Sequence, residues 1–129
     1  MSPADRTLAS DALRFRLEEE QARLNDPALL ERSGRNARTL VKQGSLRVTL
    51  VRVGAGGKIA PHRAAGPITV QVLEGDIRFH AAGRDHRLAA GDLLVLDAGV
   101  EHDVNSDSGG TFLLTLLHLE PGQTASREA

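Results

Sequence analysis

The sequence predicts an all-β fold, a sandwich or barrel, preceded by two helices. From residue 37 onward, short runs rich in aliphatic and β-branched residues alternate with Gly-containing turns about every 8–12 residues. The first 34 residues differ, because they contain long stretches without glycine and repeated helix-start signals. A chain of 129 residues fits one domain. We expect a helical extension over residues 1–36, a barrel over residues 37–120 and a flexible tail over residues 121–129.

Composition excludes several classes of function. The chain has 16 Lys and Arg against 17 Asp and Glu, a net charge of −1, so it lacks a general attraction to nucleic acid or to an anionic membrane. Cys, Trp and Tyr are absent, which excludes disulfides and thiolate chemistry and leaves few platforms for base stacking. The sequence has no apolar run long enough to span a membrane and shows no signal-peptide features at its start, so we expect a cytoplasmic protein.

Two helices are predicted before the strands. The first begins at Ser2-Pro3, a cap followed by proline, and continues to Leu24 without another helix breaker. Its apolar stripe is broad and has blurred edges. The second covers Ala28–Ser33, between the Asp26-Pro27 start signal and the stop at Gly34. The pair either covers one face or end of the barrel or serves as a dimerisation arm.

The strands follow in chain order, each ended by a turn signal. The predicted strands are Ala37–Lys42, Leu46–Val53, Ile68–Leu73, Ile77–His80, His86–Leu88, Leu93–Leu96, a strand around Val104, and Phe112–Leu119. Their alternation predicts an aliphatic core. The core candidates are Val48, Leu50, Ile68, Val70, Val72, Leu93, Val95, Leu114 and Leu116. A basic stretch from Arg32 to Arg47 and the hairpin that carries His80 and His86 are expected to be solvated surface.

Two longer motifs lie within the strand region. One runs from Gly56 through Gly57-Lys58-Ile59-Ala60-Pro61 to His62 and continues to Val72-Leu73-Glu74-Gly75-Asp76. The other begins at Gly91-Asp92, turns at Ala98-Gly99-Val100 and closes at His102. In residue types and spacing they resemble the two sequence motifs of the cupins, which are small jelly-roll β-barrels. The resemblance covers about residues 46–119 and implies a single jelly-roll barrel.

The same resemblance draws attention to a metal site from which this sequence departs. Cupin metal sites take a His-x-His pair and a Glu from the first motif and one His from the second. Here His62 and His102 occupy the first and the last of these positions, whereas Ala64 and Ile68 stand where the second His and the Glu would be. His62 and His102 could still hold a divalent metal such as Zn, Mn, Ni or Fe if another residue completed the set.

Gln71 is the candidate for that additional polar group. The aliphatic residues of its strand share the inward face, so Gln71 points outward unless the register shifts by one residue. Glu101 and Asp103 flank His102 and could orient its ring, as carboxylates commonly do for imidazole ligands.

These residues predict a small apolar pocket with His62, Gln71 and His102 as its polar groups, which binds a small molecule and could bind a divalent metal. The alternative is an enzyme of isomerase or dioxygenase type, in which the histidines act with a metal or as metal-free acid and base. No catalytic residue is assigned. We also expect a homodimer, because cupins often associate through their sheets, and neither nucleic acid nor a membrane as a partner.

Overall fold

The structure, a computed structural model, describes residues 11–118 and shows an all-β jelly-roll barrel that follows two short helices. The helices and strands are α1 (Leu17–Ala22), α2 (Pro27–Ser33), β1 (Arg35–Gln43), β2 (Leu46–Val53), β3 (Lys58–His62), β4 (Ile68–Ala81), β5 (Arg84–Ala89), β6 (Leu93–Leu96), β7 (His102–Asn105) and β8 (Gly110–Leu117). The predicted tail over residues 121–129 and the predicted helix start at Ser2-Pro3 lie outside the described residues. Within residues 11–118, neither helix is long and apolar enough to cross a membrane.

The second helix forms as its terminal signals predict. The carboxylate of Asp26 accepts a hydrogen bond from the backbone N–H of Leu29 at 3.1 Å, which satisfies a free donor of the first turn. Gly34 ends the helix in the left-handed conformation, with a φ of 79°. Strand β1 begins directly after it, at Arg35 rather than at Ala37.

The first helix is much shorter than predicted. The described residues before Leu17 are not helical, and Leu13, Phe15 and Leu17 are half-buried whereas Arg14 and Arg16 between them are exposed. This period of two residues is that of an extended segment that lies against the domain with alternate side chains. The prediction of one long helix is therefore wrong, and its blurred apolar stripe reflects this extended segment.

Helix α1 covers the outer face of β1 and β2. The buried side chain of Glu20 forms an ion pair with Arg38 on β1, with 2.7 Å between Oε2 and Nε. Arg38 lies directly opposite Leu50 on β2, so the two side chains share the outer face, and Leu50 is fully buried there. The helical segment thus covers one face of the barrel, as one of its two predicted uses requires.

Two sheets form the barrel, and strand β4 belongs to both. Up to Gly75, β4 pairs with β6 and β8, and β8 continues the first sheet to β2 and β1. From Asp76 onward, β4 pairs with β5 and β7, and β7 pairs with β3. The sequence predicted two strands, Ile68–Leu73 and Ile77–His80, with a turn between them. The structure has one strand that bends at Gly75 as it passes from one sheet to the other.

The barrel interior is filled mainly by aliphatic side chains. The predicted core residues Ile68, Val70 and Val72 are buried, and Leu114 and Leu116 pack against them. These five positions lie on β4 and β8, the two central strands of the larger sheet. Their inward phase is therefore the one that alternation predicts.

The predicted phase is wrong on two other strands. On β6, Leu93 and Val95 are 62% and 61% exposed. Leu94 and Leu96 face inward instead. On β2, Val51 belongs to the barrel core, so Val48 and Leu50 lie on the opposite, outer face. β6 is a continuous apolar run without a two-residue period, and on β2 the period breaks at the adjacent residues Leu50 and Val51, which are buried on opposite faces.

Candidate functional site

The two predicted histidines meet across a pair of strands. Ile59 on β3 lies opposite Val104 on β7, and His62 lies opposite His102. Between these two pairs β3 contains one residue more than β7, so Ala60-Pro61 forms a bulge. In a regular strand Ile59 and His62 would point to opposite faces. The bulge allows both to line the barrel interior.

The two imidazole rings are in contact and are held in the same tautomer. Their centroids are 4.3 Å apart and their planes meet at 62°. Nδ1 of His62 lies 3.0 Å from the carbonyl oxygen of Ala60, and Nδ1 of His102 lies 3.0 Å from that of Val100. Because a carbonyl oxygen can only accept, Nδ1 of each ring donates the proton. Each neutral ring therefore has an unprotonated Nε2 that can accept a hydrogen bond or a proton.

The two rings differ in exposure, and burial shifts the pKa of His102. His102 is only 5% exposed, whereas His62 is exposed. Burial lowers the pKa of His102 below its ordinary value of 6.5, and the neighbouring His62 acts in the same direction. The hydrogen bond to Val100 and the charge of Asp103 oppose this shift only in part. His102 is therefore neutral at physiological pH.

The predicted orienting carboxylates do not hold the His102 ring. Its Nδ1 donates to the backbone carbonyl of Val100 rather than to Glu101 or Asp103. Glu101 instead pairs with Arg63, whose guanidinium also donates to the carbonyl of Gly99 at 2.7 Å. Arg63 thus ties the end of β3 to the turn before β7.

A cavity of about 160 Å³ opens beside the two rings. Its lining residues are Arg35, Ala37, Val51, Ile59, His62, Phe79, His102, Val104, Phe112 and Leu114. The floor is buried and mainly apolar, and the rim is exposed. On the floor, the Phe79 ring stacks beside His102 with 5.8 Å between centroids and meets Phe112 edge-on at 5.4 Å. A dry cavity of about 150 Å³ is large enough for benzene, so this volume suits a single small ring.

Gln71 is not part of this cavity. It is exposed, and it lies opposite Leu93 on β6 and Leu113 on β8. The pairing of β4 with both neighbours is regular at this point, so no shift of register turns the side chain inward. The assignment of Gln71 to the pocket, and with it the proposed third metal ligand, is therefore wrong.

The donor set does not fit a resident metal ion. Among the side chains of residues 11–118, no three His, Cys, Asp or Glu are grouped so that they could hold a metal. At the positions where cupins have the second His and the Glu, Ala64 packs against the core and Ile68 is buried within it. His62 and His102 alone provide two ligands, whereas catalytic zinc sites and the non-haem iron triad use three.

Arg35 is a cavity residue that the sequence did not reveal. It lies opposite Val53 on β2, and Ala37 lies opposite Val51. Both valines are in the barrel core, and directly paired residues share a face, so the Arg35 side chain is on the inner face at the rim. The basic stretch was expected to be solvated surface. Only the register of β1 against β2 distinguishes Arg35 from the other basic residues of this stretch.

The histidines of the β4–β5 hairpin lie outside the cavity. His80 Nδ1 is 2.8 Å from the carboxylate of Asp85, and the ring of His86 lies 3.2 Å from the carbonyl oxygen of Ala81. The first pair is solvent-exposed, as expected for a hairpin tip.

Comparison with known proteins identifies relatives of this fold. Residues 49–118 match the sequence model of the family described as Cupin domain. No curated protein sequence matches the chain. A conserved protein of unknown function from Streptococcus pyogenes is 22% identical with a TM-score of 0.65, over 93% of this chain and 97% of that chain. A cupin-2 domain containing protein from Shewanella frigidimarina is 18% identical with a TM-score of 0.64, over 78% and 91%.

A longer protein contains a similar domain. Salicylate 1,2-dioxygenase from Pseudoaminobacter salicylatoxidans is 22% identical with a TM-score of 0.71, over 80% of this chain but only 32% of that chain. At these identities the similarity to solved structures shows the fold alone.

Proposed function

Because this chain belongs to the Cupin domain family, we propose that it binds a small, mainly apolar molecule in the barrel cavity, with His62 and His102 as the hydrogen-bonding groups. The cavity itself carries this proposal: a buried apolar floor with few polar groups is typical of small-molecule sites. The salicylate 1,2-dioxygenase of similar fold has been solved as an adduct with gentisate, which supports a small-molecule ligand for such a barrel.

The floor and the two rings have different parts in this binding. Phe79, Phe112 and Val104 are almost fully buried, so a ligand that reaches them leaves water and gains about 0.8 kcal/mol for each buried CH₂ group. The unprotonated Nε2 of His102 accepts a hydrogen bond from the ligand inside the barrel, where competition from water is weak. His62 supplies a second imidazole at the exposed rim.

A cavity-blocking variant tests this proposal. A library of single-ring compounds is screened by ligand-observed NMR against the wild type, against Ala37→Trp at the cavity rim, and against Ala89→Trp, an exposed strand alanine outside the cavity. We expect hits that bind the wild type and Ala89→Trp equally and lose affinity about tenfold or more in Ala37→Trp. Equal binding by Ala37→Trp would place the ligand elsewhere, and a screen without hits would refute a preformed single-ring site.

Acid–base catalysis is the second candidate function. It is favoured by the neutral, buried His102, whose Nε2 can take a proton from a bound ligand near pH 7. Hits are incubated with the protein in D₂O and examined by mass spectrometry for incorporated deuterium. Incorporation by the wild type that His102→Gln abolishes, while the ligand still binds, would establish proton transfer. No incorporation would leave binding as the function.

A resident metal is not part of the proposed function, since the residues that the structure describes offer two donors at the cavity rather than three. Elemental analysis of protein purified without a metal-affinity tag tests this, with His62→Ala as the comparison. We expect no stoichiometric Zn, Mn, Ni or Fe in either sample. Stoichiometric metal in the wild type that is lost in the variant would overturn this conclusion.

We further propose a homodimer formed through the outer face of the larger sheet. Leu93 and Val95 on β6 and Leu46 and Leu117 at the end of β2 and β8 are 42% to 62% exposed on this face. On β4, the cross-strand neighbours of Leu93 and Val95 are the uncharged Gln71 and Thr69. Light scattering after gel filtration tests the proposal with Val95→Lys, which should yield monomers, and Ala89→Lys on the other sheet, which should not. A monomeric wild type would contradict it.

A further inference from the structure

Arg35 is held at the cavity rim by its backbone. Its carbonyl accepts a hydrogen bond from the Ser33 hydroxyl at 2.9 Å, and its residue pair with Val53 belongs to the regular part of the β1–β2 ladder. The preceding residue, Gly34, accepts a hydrogen bond from the backbone N–H of Gly54 at 2.9 Å. The start of the strand is thus fixed, and with it the direction of the Arg35 side chain toward the barrel interior.

The Arg35 guanidinium has no anionic partner in the part of the chain that the structure describes. No other side chain among residues 11–118 forms a hydrogen bond or ion pair with it, whereas Arg38, Arg52, Arg63 and Arg78 all pair with carboxylates. The exposed guanidinium at the cavity rim is therefore free to pair with an anion that enters the cavity.

No other side chain of the cavity lining carries a negative charge that could pair with Arg35. The lining contains no Asp or Glu. The polar side chains besides Arg35 are the two imidazoles, and burial keeps His102 neutral. A bound molecule therefore meets an apolar floor at one end and a full positive charge at the other.

From this arrangement, which rests on the proposed function, we infer that Arg35 selects the ligand and that the cavity takes a small organic acid. The ring of this acid occupies the floor formed by Phe79 and Phe112, and its carboxylate pairs with the Arg35 guanidinium. A planar guanidinium matches a carboxylate with two parallel hydrogen bonds. The volume of about 160 Å³ limits the acid to one ring.

Pairs of acids and their neutral amides test this inference. Benzoate with benzamide, and cyclohexanecarboxylate with cyclohexanecarboxamide, are titrated calorimetrically into the wild type, Arg35→Gln and Arg32→Gln. Arg32 lies on α2, is exposed and does not line the cavity, so its variant makes the same change of charge away from the site. Far-ultraviolet circular dichroism checks that each variant is folded.

We expect the wild type and Arg32→Gln to bind at least one acid about tenfold or more tightly than its amide, since a hydrogen bond to a charged group is worth that much. Arg35→Gln should lose this preference while its affinity for the amide is unchanged. Equal binding of acid and amide by the wild type, or a preference that survives in Arg35→Gln, would overturn the role of Arg35 and leave the proposed cavity site intact. A failure of all four compounds to bind the wild type would overturn both.

Discussion

Gly75 lies at the bend of β4, where a side chain has no room, and this allows a quantitative prediction. Its φ is +74°, and a Cβ placed on it would overlap the carbonyl oxygen of Gly109 and lie 2.7 Å from Cα of Gly110. Gly83, in the β4–β5 turn, has the same φ of +74°, but a Cβ there would meet nothing within 4 Å. The two Gly→Ala variants therefore share the conformational cost and differ only in the steric overlap.

The magnitudes follow from these two terms. An L-residue in the left-handed region costs about 1–2 kcal/mol, and the stiffer unfolded chain returns about 0.4–1 kcal/mol, so Gly83→Ala should lose about 1 kcal/mol of unfolding free energy. Gly75→Ala adds an overlap with backbone atoms, for which overpacking values of about 1–3 kcal/mol apply. We expect it to lose about 3 kcal/mol, and its melting temperature to lie about 8 °C or more below that of Gly83→Ala.

Urea unfolding followed by far-ultraviolet circular dichroism measures both free energies. Intrinsic fluorescence is unsuitable, because the chain contains neither Trp nor Tyr. The dependence on urea should stay the same in both variants, so that the midpoints report stability alone. If the two variants lose equal free energy, within about 0.5 kcal/mol, then the close approach of β4 to the start of β8 does not exist as described and the reasoning fails.

Three further predictions concern a turn and two titratable groups. Ala82 has a φ of +53°, so Ala82→Asn, which tolerates this conformation, should raise the unfolding free energy by about 0.5–1 kcal/mol in a urea titration. The Asp76 carboxylate accepts hydrogen bonds from the Ser108 hydroxyl and from the N–H groups of Asp107 and Ser108, which hold its pKa below 3.8. The contribution of this carboxylate to the unfolding free energy is complete above pH 3.8 and is lost as the pH falls through the folded-state pKa. The difference in unfolding free energy between the wild type and Asp76→Asn should therefore narrow in that range and not above it. Burial lowers the pKa of His102 below 6.5, so the unfolded chain binds the extra proton before the folded chain does. The unfolding free energy of the wild type should therefore fall as the pH drops below 6.5. His102→Gln should lack this dependence on pH, and an unchanged dependence in the variant would contradict the burial.

The barrel and the two histidines could be predicted from the sequence because both depend on local signals. The motif that ends at His62 and the one that ends at His102 contain the turns that terminate β3 and precede β7, and the structure brings these two ends together. The start and stop of α2 likewise depend on neighbouring residues, such as the Asp26 cap. Signals of this kind are independent of how strands pair.

The inward position of Arg35 was not predicted because it depends on the register between strands, which the sequence of one strand does not determine alone. Leu40 is an extra residue on β1, since the pairs change from Thr39 opposite Thr49 to Val41 opposite Val48. A regular ladder continued from the turn at Gly44 would put the odd-numbered residues of β1 on the outer face. The bulge at Leu40 puts Arg35 on the inner face. The burial of Leu40 stabilises the bulge, and no sequence pattern within β1 predicts this bulge.

The charged side chains of the cavity lining determine which ligand charge the cavity favours. A metal site of the family type would contain a carboxylate, whereas the cavity lining here contains neither Asp nor Glu. Arg35 is the one Lys or Arg on this lining, and burial keeps the neighbouring His102 neutral. A divalent cation beside the two rings would be repelled by Arg35 without a compensating carboxylate, whereas an organic anion would be attracted to the cavity rim. The charges of the cavity lining thus favour an organic acid over a metal cation.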